Sequence, residues 1–416
     1  MRGLHDEAMK GSSDPKVRAR TLEKVFADQR QILHNRKGKD AASIPQIFVP
    51  YKETLDIYDA GLKVPEDITL VWPDDNYGYM KRVSNDDERK RSGASGVYYH
   101  LSYLGTPHDN LWISSTSPML MYEELKKAFD AGADRYWLLN VGDIKPMEME
   151  MQQFFDMAWD MDSFSYDNAN RSQAAWLASV FGKKYQKDFQ GMLDTYYRLA
   201  WERRPEFMGY EMEWDSDENN RLHDSHLSFA DGTAQARLDD YKSISDKVDM
   251  VMNDLPSEYR AAFFEIVGYA VQSAYQMNRK FLMAQRNHET GNAEAAEESR
   301  AANDSLNALL VKYNTQLDGK WNHMMSCIPP GFCAKYQMMP ELVTEPTDAY
   351  VLPEAQRVVT LKHKINLSRV KTKRPFRLLD GIGLDWVGLQ MGEPHQKVQD
   401  ASSVSSERID IPLSVQ

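Results

Sequence analysis

Polar residues follow each of four short apolar segments in the first 160 residues of this sequence. The apolar segments are residues 46–50, 68–72, 96–99 and 136–139. The polar residues beyond these segments, together with two near the start of the chain, are Arg2, Asp6, Tyr51, Glu53, Asp74, Asp75, Asn76, His100, Tyr103, Asn140, Asp143 and Lys145. Carboxylates, amides, hydroxyls, an imidazole and cations of this kind suit the binding and cleavage of sugars.

Several carboxylates in this set could perform the chemistry. Hydrolysis of a glycosidic bond needs two carboxyl groups, one to protonate the leaving oxygen and one to activate water or attack the sugar. The candidates by position are Asp6, Glu53, Asp74, Asp75 and Asp143. Arg2 could clamp a carboxylate in bidentate fashion, which would suit a uronic acid. The Asn, Tyr and His side chains are apt for holding sugar hydroxyls.

Each candidate also has a structural interpretation. Asp74 or Asp75 could cap a turn, and Glu53 could be a first-turn acid stabilised by a helix dipole. His100 could be a satisfied interior histidine, and Asp143 could shape a Gly-Asp turn. The other candidates have equally ordinary interpretations. Arg2 could form an ion pair, Tyr51 and Tyr103 could be packing residues, Asn140 could cap a loop, and Lys145 could lie on the surface. The joint pattern at four segment ends favours a functional site.

A metal centre is the alternative chemistry at the same positions. Asp74, Asp75, His100 and Asp143 include oxygen and nitrogen ligands that divalent cations accept. The sequence has no closely spaced ligand motif such as HxH or HExxH. We therefore expect neither a metal nor another cofactor.

The elements that must position these residues alternate between strand-like and helical segments. Asp14 or Ser13 can cap a helix that starts at Pro15 and runs to about Asn35. A second amphipathic helix is predicted from Pro118 to Ala131, closed by Gly132. Strands that alternate with helices indicate a parallel sheet, whose carboxyl strand ends carry the active site in a (β/α)₈ barrel. An open doubly wound sheet would normally offer a glycine-rich phosphate turn, and the sequence has none.

The second half of the chain has a different periodicity. Four long helices are predicted over residues 168–204, 233–253, 256–288 and 293–321, which suggests a helical bundle. The fold class is therefore α/β, with a partial TIM-type barrel over residues 1–164 and a bundle over 165–325. Residues 326–398 are expected to be a linker and the start of a short β region. The Ser-rich residues 399–416 are expected to be a disordered tail.

Composition excludes some classes of partner. The net charge of −12 argues against nucleic acid, because binding a phosphate backbone needs a positive surface. No apolar run approaches the roughly 20 residues of a transmembrane helix, so we expect no membrane partner. The first residues have no basic stretch followed by an apolar one, so we expect no signal peptide in them. Cys327 and Cys333 lack nearby partner ligands for a metal and are interpreted as two unpaired thiols, with one small loop disulfide as the alternative.

Five segments resemble glycoside hydrolase family 115, the xylan α-1,2-glucuronidases. They are MRGLHDEAM, FVPYKE, VWPDDNYGYMKR, GVYYHLSYLGTP and RYWLLNVGDIKPMEME, and they span about residues 1–160. The resemblance implies an inverting enzyme that removes glucuronic acid or its 4-O-methyl ether from glucuronoxylan. It also implies a secreted or periplasmic location, and a homodimer is left open.

The resemblance carries functional roles onto particular positions. Those residues are Arg2, Asp6, Tyr51, Glu53, Asp74, Asn76, His100, Tyr103 and Asn140. For the acid and base we favour Glu53 and Asp6, with Asp74 as the third choice. Asp75, Asp143 and Lys145 are added as substrate-binding candidates from their positions.

A complete barrel needs roughly 200 residues, and only about five βα units fit before residue 160. We therefore expect part of the barrel to lie upstream of this sequence. Two alternatives remain beside an active glycosidase. One is a catalytically silent fragment with a sugar-binding or interaction role, and the other is a metal-dependent hydrolase.

Overall fold

The structure is a computed structural model that describes residues 14–102, 114–142, 144–205, 208 and 226–325. The chain divides into two compact units, each with its own core. Of the described residues, unit 1 comprises 14–102, 118–141 and 150–170, and unit 2 comprises 114–117, 142, 144–149, 171–205, 208 and 226–325. Arg2, Asp6, Tyr103 and Asp143 lie outside the described residues, as do the expected β region and tail.

Unit 1 contains a four-stranded parallel sheet in the order β1-β2-β3-β4. The strands are β1 (Ile47–Phe48), β2 (Thr69–Pro73), β3 (Ser95–His100) and β4 (Tyr136–Asn140). The helices of this unit are α1 (Pro15–Lys37), α2 (Glu53–Asp59), α3 (Pro118–Asp130) and α4 (Glu148–Trp159), of which the first two residues of α4 belong to unit 2. The order of these strands follows the chain without the reversal of a doubly wound sheet, so they are consistent with part of an α/β barrel.

The strands and helices predicted in this unit are present with small shifts at their ends. The first helix begins at Pro15, and the Asp14 carboxylate caps it by accepting the Lys16 backbone N–H at 2.9 Å. The helix predicted from Pro118 ends at Asp130, and Gly132 adopts the left-handed conformation (φ +86°) that stops it.

Side chains alternate between the two faces of the sheet. On one face Leu70, Trp72, Val97 and Tyr99 join the helices in the larger core of unit 1. On the other face Val71 and Tyr98 form a small cluster with Val49, against which Tyr51 and Leu138 pack. Because both faces are covered at β2 and β3, every residue of these strands is buried.

Unit 2 is helical in its described parts. Its helices are α5 (Ser172–Phe181), α6 (Gln186–Glu202), α7 (Thr233–Asp254), α8 (Ser257–Phe263), α9 (Tyr269–Thr290) and α10 (Ala293–Gly319). They share a core that includes Phe189, Val248, Phe263 and Leu306. No helix among the described residues is long and apolar enough to cross a membrane.

Two of the predicted helices are interrupted, and the prediction of single helices there is wrong. Gly182 adopts φ +128° and ψ 133° between α5 and α6, where a continuous helix had been predicted over residues 168–204. The predicted helix of residues 256–288 is divided by a π-helical turn, Phe264–Gly268, that connects α8 to α9. The extra residue of a π-helical turn shifts the face of the helix that is buried. A prediction based on the 3.6-residue period of an α-helix does not include this shift.

Candidate active site

Four predicted site residues lie at or just beyond the carboxyl ends of the strands of unit 1. Asp74 follows β2, His100 ends β3, Asn140 ends β4, and Tyr51 follows β1. His100 is paired in register with Asn140, and Pro73, which precedes Asp74, is paired with Tyr98. Because parallel strands end at one edge of their sheet, these side chains gather there.

Asp74 is a buried carboxylate surrounded by donors. Its Oδ1 accepts the backbone N–H of Asn76 at 3.1 Å, and its Oδ2 accepts the backbone N–H groups of Gly78 at 3.1 Å and His100 at 3.0 Å. The ring Nδ1 of His100 also contacts Oδ1. Asp74 therefore joins the loop after β2 to the end of β3.

Asp75 has its carboxylate turned to its own loop. Its Oδ1 accepts the backbone N–H groups of Tyr77 at 2.9 Å and Tyr79 at 3.1 Å. Both aspartates thus satisfy backbone donors of the loop, as the turn-capping interpretation expects. Asn76, the next residue, adopts φ +80°. This is a left-handed conformation that asparagine tolerates better than most residues.

Asn76 and Tyr51 connect the loops after β2 and β1. The Tyr51 hydroxyl donates to Asn76 Oδ1 at 2.5 Å. The Tyr51 ring lies 5.9 Å from the His100 ring at an angle of 26°, so the two rings are stacked. The carbonyl oxygen of Asn76 therefore has a donor, and the amide N–H₂ of the same side chain is itself a hydrogen-bond donor.

Tyr98 belongs to this group although it is not among the candidates predicted from the sequence. Its hydroxyl accepts a hydrogen bond from Asn140 Nδ2 at 2.6 Å, and its ring lies 4.5 Å from the ring of His100. The signal was available in the sequence, because residues two apart on a strand face the same side. Tyr98 precedes His100 by two residues in β3.

Glu53 is the first residue of α2 and is half-buried. It lies five residues beyond Phe48, the last residue of β1, whereas Asp74 directly follows β2. Lys52, which precedes it, adopts φ +50°, so the chain turns sharply between Tyr51 and the helix. The position of Glu53 fits both the catalytic role and the first-turn interpretation.

Lys145 lies in unit 2 and is held by two carboxylates. Its ammonium group donates to Glu148 at 2.6 Å and contacts Glu265, in the π-helical turn, at 2.8 Å. Burial lowers the pKa of Lys145, but the hydrogen bonds to Glu148 and Glu265 outweigh it and raise this pKa above its ordinary value. Burial also raises the pKa of Glu148, which the ion pair with Lys145 only partly offsets.

The alternative of a metal centre requires a cluster of ligand side chains, and the described part of the chain contains none. No group of three or more His, Cys, Asp or Glu side chains there is placed to hold a metal ion. Asp143, one of the four residues considered for it, lies outside that part. The described side chains at the strand ends are those of a hydrogen-bonding and ring-stacking site.

The geometry can be compared with known proteins. The model of "Glycosyl hydrolase family 115" matches residues 1–207. Among solved structures, the chain is similar to a family GH115 4-O-methyl-α-glucuronidase, BtGH115A, with specificity for decorated arabinogalactans. The two chains are 43% identical with a TM-score of 0.73, and the match covers 80% of this chain and 43% of that one. No curated protein matches.

Proposed function

This chain belongs to glycosyl hydrolase family 115, and on that premise we propose that it carries the catalytic face of an α-glucuronidase. The proposed reaction releases glucuronic acid or 4-O-methylglucuronic acid that is α-1,2-linked to xylan. The observation that supports it is the group of Tyr51, Asn76, Tyr98, His100 and Asn140 at one sheet edge. Amides, hydroxyls and aromatic rings of this kind bind the hydroxyls and faces of a sugar.

The proposed mechanism is a single displacement with inversion at the anomeric carbon. One carboxylic acid protonates the O2 leaving group of xylose while a carboxylate activates water on the opposite face, with the two groups roughly 6.5–9.5 Å apart. Glu53 and Asp6 are our candidates for these roles, and Asp74 is the third. Arg2 would bind the uronate carboxylate through two parallel hydrogen bonds, while Tyr103, Asp143 and Lys145 remain substrate-binding candidates.

The proposal extends to the organisation of the whole protein. This chain spans 43% of the length of the solved α-glucuronidase, so further barrel strands in a longer chain are part of the proposal. We assign the barrel to residues 1–164, a helical bundle to 165–325, a linker and β region to 326–398 and a tail to 399–416. Secretion or export to the periplasm and a homodimer are proposed on the same basis.

A second polymer is supported by the solved structure, whose protein has specificity for decorated arabinogalactans. Its 4-O-methyl-α-glucuronidase activity involves the same sugar as the xylan proposal. A difference in polymer would then concern the chain beyond the uronic acid, while the acid and base would be the same.

The proposal can be tested by NMR of the products from glucuronoxylan and, in parallel, from a uronic acid-decorated arabinogalactan. We expect 4-O-methylglucuronic acid to appear first as the β-anomer, because inversion of an α-linkage gives the β product. Retention would first give the α-anomer and would reject the mechanism. If the protein releases no uronic acid from either polymer, the glycosidase proposal fails, and binding without release supports the silent alternative.

The role of Glu53 needs a matched variant. Glu53→Gln should abolish turnover while preserving the fold, because glutamine cannot exchange a proton in this role. Asp56→Asn makes the same change at an exposed carboxylate of α2 and should retain activity. Full activity of Glu53→Gln would remove Glu53 from the acid and base candidates.

A further inference from the structure

Asp74 has the environment of a carboxylate that holds other groups in place. Its side chain is fully buried, with a relative exposure of 0%. Three backbone N–H groups, from Asn76, Gly78 and His100, and the imidazole Nδ1 of His100 surround its two oxygens. A catalytic acid or base must reach the substrate or a water molecule, which the burial and these contacts oppose at Asp74.

We propose that Asp74 is a positioning residue that fixes the imidazole of His100, so that its Nε2 accepts a hydrogen bond from a hydroxyl of the bound sugar. This inference rests on the proposed sugar-cleaving function. On this inference Asp74 is neither the catalytic acid nor the catalytic base, and its role is to orient the imidazole of His100. The acid and base then remain with Glu53 and Asp6.

The protonation of His100 follows from the chemistry of its partner. A carboxylate only accepts hydrogen bonds, so the contact with Asp74 requires a hydrogen on Nδ1. In the neutral ring Nε2 then carries a lone pair and is an acceptor. Among the residues that the structure describes, none makes a hydrogen bond with Nε2.

The orientation of the ring is held at several points. The same carboxylate accepts both the backbone N–H and the ring Nδ1–H of His100, which couples the ring to its strand. The ring of Tyr51 stacks against it, and the ring of Tyr98 lies against it at a centroid distance of 4.5 Å. A ring rotation would therefore break the Asp74 contact and disturb both aromatic contacts.

The groups around His100 complement an acceptor at Nε2. The Tyr98 hydroxyl accepts from Asn140 and so retains its own hydrogen for donation, and the Asn76 amide N–H₂ is a donor. A sugar hydroxyl both donates and accepts. It can donate to His100 Nε2 while a neighbouring hydroxyl accepts from the Tyr98 hydroxyl.

Nitrogen-15 NMR of the protein with labelled histidine rings tests the role of Asp74 without requiring turnover. The chain has 10 histidines, so the His100 signals are assigned by their loss in His100→Gln. In the neutral ring we expect His100 to hold the hydrogen on Nδ1 and none on Nε2. In Asp74→Asn the ring should shift towards the Nε2-protonated form, which is the preferred tautomer of free histidine.

The matched control is Asp75→Asn in the same loop. Asp75 also accepts two backbone N–H groups, and both belong to tyrosines, Tyr77 and Tyr79. Asp75→Asn should leave the His100 tautomer unchanged. A general disturbance of the loop would instead change the tautomer in both Asp74→Asn and Asp75→Asn. If wild-type His100 carries its hydrogen on Nε2, the inference is wrong, even if Asp74→Asn fails to fold.

Kinetics test whether the substrate uses this arrangement. Asp74→Asn and His100→Gln should each lower kcat/KM by about ten- to hundredfold, the usual scale for loss of a buried polar contact. The double variant should be no worse than His100→Gln, because Asp74 acts through His100. Additive losses would overturn the proposal. The expected NMR spectrum without uronate release would instead reject the proposed function and, with it, the sugar as the partner of Nε2.

Discussion

The Tyr98 hydroxyl shows how a single atom completes the group at the strand ends. It accepts from Asn140 on the neighbouring strand, and its ring lies beside His100 on its own strand. Tyr99, the next residue, faces the opposite side of β3 and stacks on Phe154 in the larger core of unit 1. Adjacent tyrosines in one strand therefore belong to different environments.

Tyr98→Phe removes this hydroxyl and keeps the ring that contacts His100 and Tyr51. We expect kcat/KM for uronate release to fall about tenfold, which corresponds to the loss of one hydrogen bond to substrate. Asn140 would also lose the acceptor of its amide. Initial-rate measurements on glucuronoxylan check this expectation.

Tyr99→Phe is the matched control because it makes the same change on the other face of the same strand. It should retain wild-type kcat/KM, and any cost should appear as a lower thermal midpoint. Equal activity losses in the two variants would show that the sheet as a whole, and not the Tyr98 hydroxyl, is responsible.

The ion pairs of Lys145 show how neighbouring carboxylates influence the role of a charged residue. The sequence predicts it as a substrate-binding residue, and in unit 2 it lies between Glu148 and Glu265. Gln316 donates to the other oxygen of Glu265 at 2.9 Å, and the Trp321 ring lies 5.2 Å from the Lys145 ammonium. These contacts give Lys145 a structural role in unit 2 that does not depend on a ligand.

The raised pKa of Glu148 predicts a pH dependence of stability. The folded protein binds this proton more tightly than the unfolded chain, whose ordinary glutamate pKa is 4.5. The stabilisation is therefore complete below that value and is lost as the pH rises through the raised folded value. Raising the pH should thus lower the unfolding free energy of the wild type relative to Glu148→Gln.

Urea unfolding of both proteins from about pH 4 to 8 measures this difference. Glu297→Gln, at an exposed position of α10, is the control and should run parallel to the wild type. A constant difference between Glu148→Gln and the wild type across this range would contradict the raised pKa.

At the scale of elements, Gly96 determines how closely β3 and β4 approach. A Cβ at this position would lie 1.9 Å from the backbone oxygen of Tyr136, its register partner in β4. Backbone cannot move aside as a flexible side chain does, so the pairing depends on the missing side chain. Gly191, inside α6, has the opposite environment, because a Cβ there would meet only Lys247 Nζ at 3.6 Å.

The same substitution should therefore have opposite effects at the two glycines. Gly96→Ala should lower the unfolding free energy by about 2–3 kcal/mol through overpacking against β4. Gly191→Ala should raise it by roughly 0.5–1 kcal/mol, because alanine loses less entropy in a helix. Urea unfolding of the two variants checks both signs, and a neutral Gly96→Ala would contradict the close approach.

At the scale of the whole molecule, two separate cores predict two unfolding transitions. Phe154 is fully buried in the core of unit 1 with Tyr99 and Trp137, and Phe189 is fully buried in the core of unit 2 with Phe263. Each alanine variant should lose about 3–5 kcal/mol from its own unit. Phe154→Ala should lower one transition and Phe189→Ala the other.

Calorimetry with hydrogen exchange measured on peptides from each unit can assign the transitions. We expect faster exchange only in the unit that carries the substitution, apart from effects of complete unfolding. A single transition that both substitutions lower equally would instead show one cooperative unit.

Local sequence patterns were sufficient for much of the architecture. Apolar segments bounded by polar residues predicted all four described strands, and Asp14-Pro15 predicted the start of α1. They succeeded because strand and helix periodicity and helix capping depend on residues close in the chain. The five quoted segments likewise identified the family from sequence alone. The breaks at Gly182 and at Phe264–Gly268 were missed, because their apolar spacing still resembled a continuous helix.

Only the tertiary structure decided what each polar residue contacts. The sequence placed Asp74 and His100 26 residues apart, and the parallel register of β2 and β3 brought one carboxylate onto one imidazole. It likewise paired Asn140 with Tyr98 and surrounded Lys145 with Glu148 and Glu265. The gathering of polar residues at the strand ends could be predicted from the sequence, because parallel strands end at one edge of their sheet. The roles of these residues could not be predicted, because a side chain's hydrogen-bond partners depend on long-range packing that local patterns do not encode.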